Sequence, residues 1–367
     1  MNVKLNFTRG ERAINGLAIF FVCASFIQVI FGSTLTTSEG LVGRWIASVI
    51  CFNTMHVGMT YVNILMIPEY KKIVFEHLKL NYLKQLTIFF LIYGLFWIGH
   101  EYGFHKEIKP IRILVILMSL YIPIMHAKRQ TLGLSLILNL KFQRALSTHG
   151  LPFIGNDLRS RKAEHASVNL MIFALFIFGV SKYSDQLALT KIPSDYFKQA
   201  SLILFGIALL TFGFSVYLLK HREFILPKSM FLFRHMSTWL WCYTPISSMA
   251  AVSIHGLEYL ELQTRTFNRS RISKGLFRFY LGLLIAFCAI KYYLDYPVAQ
   301  LGFSYGNMNW VTQCTLLLGA TLAYLHFYLD SVIYKLNDPI IRSEILPLLI
   351  EKPEKLKLDL LQNNIAA

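Results

Sequence analysis

Apolar runs close to the length of a bilayer-spanning helix recur from one end of this chain to the other. They lie at 13–32, 41–67, 86–104, 111–127, 168–181, 200–219, 230–262, 276–294 and 310–333. A span needs about 20 mostly apolar residues, and inside a bilayer the backbone must satisfy its own N–H and C=O groups, which a helix does within one segment. The expected fold is therefore all-α, a polytopic transmembrane helical bundle. Composition agrees, since 55% of the 367 residues are hydrophobic and only 15% are charged, against about a quarter charged in soluble domains. Three runs are marginal: 168–181 is short unless it starts near His165, 111–127 is barely long enough, and 86–104 ends in the polar cluster His100-Glu101-Tyr102-Gly103-Phe104-His105. Between the fourth and fifth runs, Gln130–Leu146 is interrupted by polar residues and reads as an interfacial helix. Pro152, Gly155 and Asn156 then mark a loop.

The run at 230–262 is too long for one crossing, and the positions of Lys and Arg decide how it is threaded. A single crossing would put both the loop holding Arg265, Arg269, Arg271, Lys274 and Arg278 and the basic tail on the outer side. A hairpin that enters and returns to the same face, breaking near Tyr243-Thr244-Pro245, instead divides the 36 basic residues 28 to 8 in favour of one side. That asymmetry is the positive-inside pattern of short loops. It implies eight full crossings plus a re-entrant or paired-helix hairpin at 230–262, with both termini cytoplasmic, in a bacterial inner membrane. One transmembrane helical domain is expected over 1–338, closed by Asp338-Pro339, followed by a cytoplasmic amphipathic tail over 339–367.

The net charge of +16 is carried in short loops between apolar runs, so the basic residues point to membrane lipids as partners and not to nucleic acid. Cys23, Cys51, Cys242, Cys288 and Cys314 all fall inside apolar runs without CxxC spacing, which predicts neither a disulfide framework nor a thiolate metal site. The N-terminal run lacks a small-residue cleavage site and reads as a retained span.

With that topology the ionisable residues inside the runs acquire a depth. His56, His126, His255 with Glu258, and His326 with Asp330 all fall in the cytoplasmic half of the bilayer, on four different elements. An unpaired ionisable group there is costly and marks a functional site by default. His255 and Glu258 are spaced i, i+3 and His326 and Asp330 i, i+4, so each pair shares a helix face. Imidazole and carboxylate together are ligands for non-haem iron and for zinc. Three readings stay open: a metal site with His56, His126, His255 and His326 as ligands, a metal-free acid–base pair in which a histidine and a carboxylate, Glu258 or Asp330, exchange a proton on a lipid-like substrate, and a set of hydrogen-bonded helix-packing histidines. His100, Glu101 and His105 lie at the opposite face and belong to an interfacial loop.

The arrangement of His255-x-x-Glu258, His326-x-x-x-Asp330, His56 and His126-x-x-x-Gln130 on separate spans resembles the style of the Brp/Blh-like carotene dioxygenases, with other bacterial multi-pass membrane families as the alternative. The resemblance implies an iron-dependent oxidoreductase, zinc being the alternative metal. It would act on a hydrophobic or lipid-like small-molecule substrate from the cytoplasmic leaflet, with Glu258 and Asp330 as catalytic carboxylates or further ligands. The other function class is a transporter or a proton or cation relay using the same groups. The chain has no Walker-type or GxGxxG loop, no GxSxG elbow and no HExxH, so nucleotide chemistry and the hydrolases that use those motifs are unsupported.

Overall fold

The structure is a computed structural model that describes residues 9–31, 56–148, 158–184, 187, 193–219, 222–239, 245–270, 275–276, 278–280, 282–286 and 310–350. These residues are helical apart from short connections. In chain order the helices are α1 (Arg9–Phe31), α2 (56–66), α3 (Pro68–Lys71), α4 (Tyr82–Ile98), α5 (Lys109–Thr148), α6 (Leu158–Lys182), α7 (Ser194–Tyr217), α8 (Arg222–Trp239), α9 (Pro245–Arg269), α10 (the helical residues within 275–286), α11 (Trp310–Ile333) and α12 (Pro339–Ile350). Wide i→i+5 turns extend α3 through Lys72–His77 and α4 through Gly99–His105. At the second of these Gly103 allows a close approach of the chain to itself, since a Cβ there would sit 3.2 Å from the Arg112 backbone nitrogen, tighter than ordinary contact.

Five helical stretches are long and apolar enough to cross a membrane: Tyr82–His105, Lys109–Gln143, Arg159–Lys182, Ser194–Tyr217 and Gln313–Ile333. They match the expected runs at 86–104, 111–127, 168–181, 200–219 and 310–333, and by length and composition they mark a membrane protein. The run at 13–32 falls in α1. The runs at 41–67 and 276–294 are helical where they are described, except at Ile67; of the expected break at Tyr243-Thr244-Pro245, Pro245 is the first residue of α9 and the other two lie outside the described residues.

One local expectation changes. Gln130–Leu146 is not a separate interfacial helix but the second half of α5, which continues unbroken for 40 residues with Pro123 inside it. At 1.5 Å per residue it is about 60 Å long, roughly twice the hydrocarbon core. The polar residues that argued against a span, among them Gln130, Thr131 and Ser135, are buried against neighbouring helices. Packing partners supply what the isolated segment lacks.

The pairing of α6 with α7 follows from small polar residues at heptad spacing. Ser160 donates to the Ser215 carbonyl at 2.7 Å, Ser167 to the Ala208 carbonyl at 2.8 Å, and Ser201 back to the Ala174 carbonyl at 2.7 Å. The partners run in opposite directions, so the helices are antiparallel. Small residues at the seam let the backbones approach, which is the main source of helix–helix affinity where lipid is as apolar as the side chains.

The largest buried apolar cluster among the described residues draws on several helices, α12 among them. Tyr70, Ile73, Phe142, Phe224, Leu329 and Ile333 are buried there together with Ile341, Ile345, Leu348 and Leu349 of α12. The amphipathic helix that begins the expected tail thus closes this core with its apolar face. Asp338 caps it, its Oδ1 accepting from the N–H groups of Ile340 (2.9 Å) and Ile341 (3.2 Å).

Candidate metal site

Four helices bring polar side chains to one level of the bundle, each through residues one helical turn apart. Helix α2 supplies His56 and Thr60, α5 supplies His126 and Gln130, α11 supplies His326 and Asp330, and α9 supplies His255, Tyr259 and Gln263. Spacing of i, i+4 stacks such pairs on one face of each helix. The faces converge, and His56, His126, His326 and Asp330 are all buried.

His56 Nε2 and His326 Nε2 are 3.0 Å apart. Asp330 Oδ2 lies 3.5 Å from His326 Nε2 and 3.9 Å from His56 Nε2. With His126, one ligand atom from each of the four residues falls within 4.8 Å of every other. Two facing imidazole nitrogens beside a carboxylate repel one another through their lone pairs unless a proton or a cation lies between them. This buried His/Asp group can hold a metal ion. Metal–ligand bonds of about 2.1 Å place neighbouring ligand atoms about 3.0–3.4 Å apart in octahedral or tetrahedral geometry. The two shorter distances are close to that range, and the third would need a wider angle at the metal.

The carboxylate is held from outside the group. Thr60 donates to Asp330 Oδ1 at 2.9 Å, Gln130 donates to Oδ2 at 3.1 Å, and Gln263 donates to the Thr60 hydroxyl oxygen at 3.1 Å. These bonds fix the Asp330 rotamer and hold its carboxylate toward the histidines. His126 stacks on Phe327 with ring centroids 4.3 Å apart, and its Nε2 is buried without a hydrogen-bond partner among the described residues. Leaving such an atom unpaired costs about 1–3 kcal/mol.

His255 and Glu258 occupy different places. The His255 ring lies edge-on to His56 at 5.1 Å and to His126 at 6.4 Å, at the border of the group and outside the set of four. Glu258 belongs to a neighbouring buried cluster. It pairs with Arg234, lies 3.1 Å from His235 Nε2, and is linked through Arg234 to Asn15, whose side-chain oxygen accepts from the guanidinium at 2.8 Å. His235 Nδ1 in turn faces the Thr131 hydroxyl at 3.2 Å. His100, Glu101 and His105 stand together in the wide turn after α4, where Glu101 meets Lys106 at 3.3 Å.

Comparison with known protein families, curated proteins and solved structures finds no match for this chain. The site is therefore read from its own geometry.

Sequence reasoning passed over Thr60, named Gln130 only within the His126-x-x-x-Gln130 pattern, and passed over Gln263, Arg234 and His235. A signal for the first three is present: Thr60 follows His56, Gln130 follows His126 and Gln263 follows Tyr259 at i+4, the same spacing that separates Asp330 from His326. Arg234 and His235 carry no such signal, because only tertiary contact distinguishes them from loop charges.

Two cavities meet at this site. One, of ≈ 440 Å³, is bounded by His126, Gln130 and Asp330 and runs to Arg129, Lys335 and Asn337. The other, of ≈ 540 Å³, is an apolar groove between α4, α5 and α11 that reaches from Ile111 to Arg129 and touches His126 and Phe327. Both volumes fall in the range of about 300–1,000 Å³ usual for ligand sites. His126, Arg129 and Ser331 line both.

Proposed function

We propose that this protein is an integral membrane oxidoreductase that holds one non-haem iron ion on His56, His326 and Asp330, with His126 as a further ligand. Its substrate is hydrophobic or lipid-like and enters from the cytoplasmic leaflet. The observation that carries this reading is the 3.0 Å approach of His56 Nε2 to His326 Nε2 beside the Asp330 carboxylate. Two histidines and one carboxylate with open positions are the ligand set of non-haem iron oxygenases, and a cavity adjoins the group on the side where a substrate would need access. Iron supplies the redox capacity that these side chains lack. The residues do the rest: Thr60, Gln130 and Gln263 orient the carboxylate, His255 packs against the His56 ring, and Phe327 supports His126.

The same reading keeps both termini cytoplasmic, with eight crossings and a hairpin at 230–262 in a bacterial inner membrane, supported by the 28 to 8 division of basic residues. It also continues the resemblance to the Brp/Blh-like dioxygenases as a proposal about style of site.

Metal analysis of protein purified after growth in iron-replete and zinc-replete media tests it. About one iron per chain is expected, lost in His326→Ala and Asp330→Ala and kept in His100→Ala. One zinc per chain from iron-replete cells would replace the redox reading with a hydrolytic or structural zinc site. Absence of any transition metal would overturn both.

A proton or cation relay is the second reading. It is favoured by the buried Arg234, His235 and Glu258 cluster, which lies one helical turn from His255 and through it adjoins the four-residue group. Metal-free protein that moves protons in vesicles, and stops doing so in Glu258→Gln, would select it.

A further inference from the structure

Arg129 sits where the two cavities join, one turn of α5 beyond His126, and it lines both of them. Lys335, two residues past the end of α11, also lines the polar cavity. Both side chains are exposed, and neither has an ion-pair partner among the described residues. From this shared mouth the apolar groove runs back along α5 to Ile111, 18 residues or about 27 Å at the helical rise. That is nearly the depth of the hydrocarbon core. An unpaired cationic mouth leading into a long apolar groove fits a molecule with an anionic head and one long chain, and it fits neither a neutral hydrocarbon nor a small anion.

We propose that the substrate is an anionic single-chain amphiphile whose carboxylate or phosphate head binds Arg129 and Lys335 while its chain lies in the groove between α4, α5 and α11. This deepens the oxidoreductase reading and rests on it for the chemistry, not for the binding. It also fixes where that chemistry occurs. His126 is three residues, about 4.5 Å along the helix, from Arg129, so the position presented to the His/Asp group lies within the first few bonds of the head and not in mid-chain. A head anchored by charge and a chain held by burial together fix the register of an otherwise featureless chain, which is how remote binding orients a reacting carbon.

The test uses purified full-length protein in detergent and two long-chain fatty acid probes, one with a photoactivatable diazirine next to the carboxylate and one with it at the chain end. The first should label peptides around Met125–Arg129 and Phe327–Ser331, and the second peptides around Ile111–Met118. Oleate and a single-chain lysophosphatidate should compete, and their ranking tells carboxylate from phosphate as the preferred head. Oleyl alcohol and acetate should not compete. Arg129→Gln with Lys335→Gln should weaken labelling by tenfold or more, and Ser119→Trp should block the chain-end probe by filling the groove. Equal competition by oleyl alcohol would overturn the proposal in favour of ordinary lipid-facing surface, and competition by acetate would reduce it to an anion site. Labelling that persists in metal-free His326→Ala protein supports the amphiphile site whatever becomes of the metal. Bound metal without competed labelling sinks the amphiphile and leaves the metal site standing.

Discussion

His56 and His326, 270 positions apart in the chain, hold their Nε2 atoms 3.0 Å from each other. Each sits one turn before a hydroxyl or carboxyl on its own helix, and those two groups, Thr60 and Asp330, are bonded to one another at 2.9 Å. The contact is thus repeated one turn along the two helices. Neither pair can shift without disturbing the other.

Thr60→Val keeps the shape of the side chain and removes both the donor to Asp330 and the acceptor for Gln263. Metal affinity should fall about 10–100-fold, as it does when groups that orient a ligand are lost. Competition with a chelator of known affinity measures this. Unchanged affinity would mean that Asp330 is not positioned through Thr60.

Arg234→Met should destabilise the fold, because it removes a buried cation from Glu258 and from Asn15. Breaking a buried ion pair costs about 3–5 kcal/mol, and the double substitution Arg234→Met with Glu258→Leu recovers much of it. His235 remains 3.1 Å from Glu258, so the loss should fall toward the lower end. Unfolding of the two variants in detergent decides this, and a double variant no more stable than the single one would contradict it.

The hydrogen bond from His77 at 3.0 Å, with the N–H groups of Ile341 and Ile340, holds the Asp338 carboxyl below its usual range. A depressed carboxyl contributes stability above its unfolded value of about 4 and loses it as pH falls through the folded value. Docking of α12 should accordingly loosen in acid. Hydrogen exchange over 339–350 should rise as pH drops below about 4 once the intrinsic rate is corrected for. Asp338→Asn, which preserves a capping side chain, should be less protected at neutral pH and show a flatter pH response. An equal pH response in the variant would assign the acid sensitivity elsewhere.

Single cysteines placed at Asn268 and after Lys352 in a cysteine-free background should both be inaccessible to an impermeant reagent added from the periplasmic side. Labelling at Asn268 from outside would remove the hairpin and the common depth inferred for His255 and His326.

The all-helical bundle and its five apolar spans were legible because burial in lipid writes itself into composition and run length, which need no partner to be read. The convergence of His56, His126, His326 and Asp330 was legible in part for a similar reason: ionisable groups inside apolar runs are rare, and depth along a span can be counted. Tertiary structure decided the remainder. Glu258 satisfies the same i, i+3 rule as a ligand would, yet Arg234 and His235 on α8 draw it into a separate cluster, since a buried carboxylate goes to the nearest buried cation. Gln130 and Thr131 are adjacent in sequence, but the 100° turn between neighbouring helical residues sends one to Asp330 and the other to His235. Residues 130–146 read as a separate interfacial helix, yet they continue α5 into the core, where Lys228, Glu164 and Ser135 satisfy one another, with Lys228 2.6 Å from Ser135 and 2.9 Å from Glu164. Helix periodicity and apolar length are local properties that sequence determines alone. Which buried polar group meets which is set by helix packing, and only the folded chain contains it.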